Sequence, residues 1–170
     1  MNTEADKWTL LVYKIPSHPT RLRLKIWRRL QSMGAVYLQD AVCVLPARPD
    51  LVENMQYVAE SVQELGGTAH LFEARSLLPE GSRLIQDELR AHADNRLDEI
   101  VQRLERIQAA LDRVADTRAL EQVEEEVRRE RVAFLRAMRL AYCGSTREGA
   151  VEERLDTLMR SLDDLYRSEK

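Results

Sequence analysis

The sequence predicts an α+β protein in two parts: a mixed strand–helix domain over residues 1–78 and an all-helical arm over 79–170. Two observations carry this. Before Pro79, short apolar runs alternate with helical patterns and are punctuated by proline and glycine. After it, apolar residues recur only at spacings of three and four, with no further strand signal. A chain of 170 residues, 44% apolar and 32% charged, is long enough to bury such a core without disulfide staples.

Each element has its own punctuation. Leu10 to Ile15 reads as a strand, closed by Pro16, Ser17 and Pro19. Arg21 to Met33 follows as a helix stopped by Gly34, with Ser17 or Thr20 as its cap. Ala35–Gln39 and Val42–Leu45 are strands joined by a tight turn at Asp40-Ala41, and Pro49-Asp50 opens a second helix that runs to Leu65 before Gly66-Gly67. Thr68 to Phe72 supplies a fourth strand. The resulting order, β-α-β-β-α-β, is the split βαβ or ferredoxin-like arrangement. In the arm, Leu97, Ile100, Leu104, Ile107, Leu111 and Val114 form a heptad seam, broken at Asp116-Thr117. A second helix carries Leu120, Val123, Val127, Phe134 and Met138, its seam interrupted by Arg131, and ends at Gly144-Ser145-Thr146. A third carries Val151, Leu155, Leu158, Leu162 and Leu165. Three such helices predict a bundle or a coiled-coil arm. Their seams must bury against each other, the sheet or a second subunit, and a homodimer is expected.

Composition excludes several classes. Two cysteines are too few for a disulfide framework, and no apolar run approaches the roughly 18 to 20 residues that span a bilayer. Met1 to Lys7 is polar and lacks a signal-peptide core, so the expected location is cytoplasmic. The net charge of −3 conceals an asymmetry: residues 1 to 48 hold eight Lys or Arg against three acids, while the rest hold eighteen against twenty-six. Only the first quarter therefore offers a surface for a polyanion.

The first helix is the most informative segment. At 100° per residue, Leu22, Ile26, Leu30 and Met33 share an arc of about 80°, and Arg21, Lys25, Arg28 and Arg29 share another of about 100°. Arg23 lies beyond the apolar stripe, beside Trp27. No acid occurs between Lys7 and Asp40. Such a face suits successive phosphates. The alternative is a solvated face whose arginines pair with acids of the helical arm. Trp8, before a strand, and Trp27, bordering a core face, fit core filling better than base stacking. His18, His70 and His92 have no metal-ligand spacing, so neither a metal nor a cofactor is expected. Cys43 and Cys143 fit small buried hydrophobes, with redox chemistry as the alternative. There is no nucleophile elbow, no phosphate-binding glycine loop and no convergent carboxylate set, so an enzyme is not expected.

The strings LLVYKIPSHPTRLRLKIWRRL and GAVYLQDAVCVLP, within Trp8 to Pro46, resemble the N-terminal domain of the bacterial chromate-resistance regulator family ChrB. The shared positions are Tyr13, Lys14, Pro16, Pro19, Arg21, Arg23, Trp27, Arg28, Arg29, Tyr37, Leu38, Gln39 and Asp40. The likeness is dense over about forty residues, looser to Phe72, and thereafter one of helical character. The same segment is distantly similar to the ferredoxin-like domains of the repressor PaaX and of CRISPR spacer-acquisition nucleases, an analogy of fold. The resemblance implies a cytoplasmic transcriptional regulator that releases its DNA when chromate appears. Among the shared positions Lys14, Arg21, Arg23, Arg28 and Arg29, with Lys25 of the same face, suit DNA phosphate or a chromate-like dianion. Tyr37 and Gln39 would add polar contacts. Family members usually continue into a C-terminal domain, whereas this sequence ends at Lys170; if that domain carries the sensing, the resemblance implies either a stand-alone relative or one half of a split gene. The other readings are a protein-interaction module whose bundle recruits a sensor, a metal-dependent nuclease and a thiol-based oxyanion reductase.

Overall fold

The computed structural model describes residues 7–18 and 20–168. Pro19, and Met1 to Asp6 of the polar N-terminus, lie outside the described residues. The elements are β1 (Lys7–Lys14), α1 (Thr20–Ser32), β2 (Val36–Gln39), β3 (Val42–Pro46), α2 (Pro49–Glu64), β4 (Thr68–Arg75), α3 (Pro79–Leu111), α4 (Thr117–Arg139) and α5 (Glu148–Ser168). The sheet runs β2-β3-β1-β4 with every neighbouring pair antiparallel. Insertion of β3 between β1 and β2 splits the first βαβ, and the fold is α+β with a ferredoxin-like sheet followed by helices.

Two strands outrun their apolar cores. β1 begins at Lys7 and β4 continues to Arg75 because the two pair residue by residue from Lys7↔Arg75 to Lys14↔Thr68. That ladder satisfies backbone groups whatever the side chains, and Lys7 Nζ adds an ion pair to Glu73 at 3.3 Å. Thr20 is the first helical residue of α1 rather than its cap. The β2–β3 turn places Ala41 at φ 61°, a conformation that usually selects glycine or asparagine. Gly67 is required by proximity: a Cβ there would stand 2.4 Å from the carbonyl oxygen of Lys14.

Alternation along β1 gives the sheet two different faces. Leu11, Cys43 and Leu45 are fully buried on one, and Ile26 and Leu30 of α1 and Leu51, Met55, Val58 and Val62 of α2 supply the helical side of that core. On the other face Trp8 is 3% exposed, and its indole N–H donates to Ser82 Oγ, 3.2 Å away in the opening turns of α3. The chain divides into compact units at 1–89 and 90–170, so those opening turns belong with the sheet.

The second unit is built on the expected seams, with one correction. Leu97, Ile100, Leu104, Ile107 and Leu111 of α3 are buried together with Leu120, Val123, Val127 and Phe134 of α4 and Val151, Leu155, Leu158 and Leu162 of α5. Val114 and Met138 are only partly buried, Ala137 fills the last seam position of α4, and Leu165 is exposed. The polar interruption of the α4 seam is Glu130, not Arg131, which is exposed. Spacings of three and four from Leu120 run through 123, 127 and 130 to 134. Glu130 Oε1 accepts from Arg103 Nε at 2.9 Å, while Oε2 is buried with no partner. Asp116 caps α4, its side chain accepting from the Ala119 N–H at 2.8 Å. Asp94 gathers the α4–α5 loop, accepting from both hydroxyls of Ser145 and Thr146 and from the Thr146 N–H. Burial raises the Asp94 carboxyl, but those hydrogen bonds and Arg147 outweigh it and hold the group below its ordinary range.

Candidate anion-binding face and cleft

The thirteen residues of α1 divide between three faces. Ile26 and Leu30 are buried, with Leu22 and Met33 half-buried beside them, as the apolar stripe predicts. Arg21, Lys25, Arg28 and Arg29 are all exposed on a second face. Among the described residues Lys14, Arg21, Arg23, Lys25 and Arg28 have no ion-pair partner. Arg29 is partly engaged, its guanidinium carbon 4.6 Å from the ring centroid of Tyr57 on α2.

Thr20, Arg23, Leu24 and Trp27 make a third face, and it walls a cleft of about 910 Å³. The end of β1 contributes Tyr13 and Lys14, and the β2–β3 hairpin contributes Tyr37, Gln39 and Asp40. The structure thus brings together Lys14, Arg23, Tyr37 and Gln39, and leaves Arg21, Lys25, Arg28 and Arg29 on the neighbouring face. Trp27 is not a core residue as its sequence position suggests: it is 48% exposed, because it lies about 60° past the edge of the apolar arc, with Arg23 between. Trp8 fills the core as expected.

Sequence reasoning passed over Tyr13 as a site residue. Its hydroxyl lies 3.0 Å from that of Tyr37, one hydrogen bond in which either can donate. Only the strand register reveals the pairing: Leu11 and Tyr37 both flank Cys43, and the Tyr13 N–H donates to the Ala41 carbonyl at 3.0 Å. Burial, reinforced by Tyr13, raises the Tyr37 phenol far above its ordinary range. Burial raises Tyr13 as well, against the opposing effect of its hydrogen bond to Tyr37. Both therefore remain neutral hydroxyls at physiological pH. Behind them, burial pushes the Cys43 thiol up to about 12, which disfavours the thiolate a nucleophile needs. Cys43 and Cys143 are both free. Among the described residues no three His, Cys, Asp or Glu side chains are grouped to hold a metal ion, and no helix is long and apolar enough to cross a membrane.

Comparison with known proteins agrees with the motif. Protein ChrB of Cupriavidus metallidurans is 35% identical over 52 residues, an alignment spanning 31% of this chain and 16% of that relative. The chain thus corresponds to a small part of the relative's length. The family described as Protein ChrB, N-terminal, matches residues 23–167, from the first turn of α1 almost to the end of α5. The chain belongs to the ChrB N-terminal family.

Proposed function

We propose that this protein regulates chromate resistance in the cytoplasm and holds duplex DNA through the basic face of α1. The observation that carries the reading is the row of Arg21, Lys25 and Arg28, exposed and without ion pairs among the described residues, with Arg29 beside them. Cations without carboxylate partners break no ion pair before they meet phosphate. Each phosphate neutralised releases counterions, so affinity falls with salt at a slope of about −0.9 per contact. Four contacts give a slope near −3.6, a loss of about 150-fold between 50 and 200 mM salt.

The test is fluorescence anisotropy of a labelled duplex from upstream of the gene, against a scrambled duplex, across a salt series with and without chromate. Arg28→Ala combined with Arg29→Ala is expected to halve the slope, leaving about a 12-fold loss over the same range. An unchanged slope and affinity in the double variant removes the assignment. Release by chromate would locate sensing in these residues, and binding without release would locate it in a further domain or a partner.

A further inference from the structure

We propose that the cleft walled by Trp27 and floored by Tyr13 and Tyr37 is a binding site for a nucleoside monophosphate, separate from the basic face of α1. The proposal goes beyond duplex binding and does not rest on it.

The wall is apolar where solvent would favour polar groups. Leu24 is 41% and Trp27 48% exposed, both lining a concavity rather than a flat surface. A half-exposed indole on a cleft wall suits a flat ring, which stacks on it whatever its substituents. The floor offers a donor. The Tyr13–Tyr37 hydrogen bond uses one O–H whichever hydroxyl donates, and among the described residues the other O–H has no acceptor. Charge at the rim is mixed: Lys14 and Arg23 are cationic, Asp40 is anionic, and Gln39 carries an amide.

A bare tetrahedral oxyanion fits this arrangement poorly. It would use the two cations, face the Asp40 carboxylate, leave the indole idle and fill a small fraction of about 910 Å³. Ligand sites commonly measure about 300 to 1,000 Å³ and combine apolar walls with a few convergent polar groups. A nucleoside monophosphate matches each feature in turn. Its ring lies on Trp27, its phosphate meets Lys14 and Arg23, a ring nitrogen or phosphate oxygen accepts the free tyrosine O–H, and its sugar hydroxyls or ring amine donate to Asp40 or Gln39.

The experiment is isothermal titration calorimetry of the full chain with adenosine 5′-monophosphate, adenosine, inorganic phosphate and chromate as separate titrants. Saturable binding of the monophosphate is expected, at least tenfold tighter than that of adenosine, phosphate or chromate. Trp27→Leu should weaken it about tenfold while Trp27→Phe keeps most of the affinity, and circular dichroism should show all three proteins equally helical. Duplex binding by Trp27→Leu should be unchanged, which separates the cleft from the basic face. The proposal is overturned by any of four results: no saturation at millimolar nucleotide, phosphate or chromate binding as tightly, no effect of Trp27→Leu, or a parallel loss of duplex affinity in that variant.

Discussion

Replacing Glu130 by leucine should stabilise the helical unit. The carboxylate occupies a seam position between Val127 and Phe134, its side chain is 15% exposed, and Oε2 is buried without a partner. An unsatisfied buried polar atom costs about 1–3 kcal/mol, and a leucine largely enclosed there contributes about 1.5–3 kcal/mol of burial. Against this stands one lost charged hydrogen bond, to Arg103, worth about 1.5–3 kcal/mol. Arg103 is itself 38% exposed and lies 4.0 Å from Glu99, so its guanidinium stays hydrated when Glu130 is gone. The balance favours Glu130→Leu by about 1–2 kcal/mol, within the range seen when buried ion pairs are replaced by apolar residues. Arg103→Ala does the reverse, removing the donor that Oε1 has, and should cost about 1–3 kcal/mol. Urea unfolding followed by circular dichroism reads both. With a slope of about 1–3 kcal/mol per molar, Glu130→Leu moves the midpoint up by about 0.5–1 M at unchanged slope. A midpoint that falls in Glu130→Leu would refute the reasoning, since the carboxylate would then be contributing more than its burial costs.

Two further outcomes follow from the geometry. Cys43 is fully buried with its thiol raised to about 12 from an ordinary 9.0, so the unfolded chain releases this proton first. Its contribution is present below pH 9 and is lost as pH rises toward 12, and Cys43→Val should therefore raise the midpoint of alkaline unfolding; an unchanged midpoint would show that the thiol is not responsible. Asp116→Ala removes the side-chain cap of α4 and should lower stability by about 1 kcal/mol in the same urea assay, with Asp116→Asn restoring most of it.

The elements were legible because each is local. Gly34, Gly66-Gly67 and the prolines at 16, 19, 49 and 79 punctuate periods of two and of 3.6, and those periods are visible in a single chain. What escaped is what depends on pairing. The strand ends at Lys7 and Arg75 exist because each has a partner across the ladder, which no propensity encodes. Glu130 was passed over because a seam of three and four can continue at either 130 or 131, and only packing decides which faces inward. The cleft was hidden for the same reason. Thr20, Arg23, Leu24 and Trp27 sit on one arc of α1, a pattern present in the sequence, but its meaning requires Tyr13 and Tyr37 to be brought opposite by strand order.

Charge is distributed unevenly along the chain. The acidic surplus that follows residue 48 is not spread evenly: residues 49–89 hold two basic against eight acidic side chains, whereas 90–170 hold sixteen against eighteen. The helical unit is therefore close to neutral and pairs many of its charges internally, as Arg154–Glu105, Arg147–Asp98 and Arg128–Glu124 show. The polarity lies inside the first unit. There α1 carries five cations and no carboxylate, while α2 carries Asp50, Glu53, Glu60 and Glu64 and no cation. The two helices touch, with Arg29 stacked on Tyr57. Their opposed charges make this small unit a dipole whose positive end is the basic face and whose negative end repels a polyanion that approaches the other way round. On the proposed reading, a duplex drawn by that field would meet Arg21, Lys25 and Arg28 first. The Trp27 cleft lies on the neighbouring arc of the same helix, so one thirteen-residue element presents an exposed basic face and a half-exposed indole wall side by side.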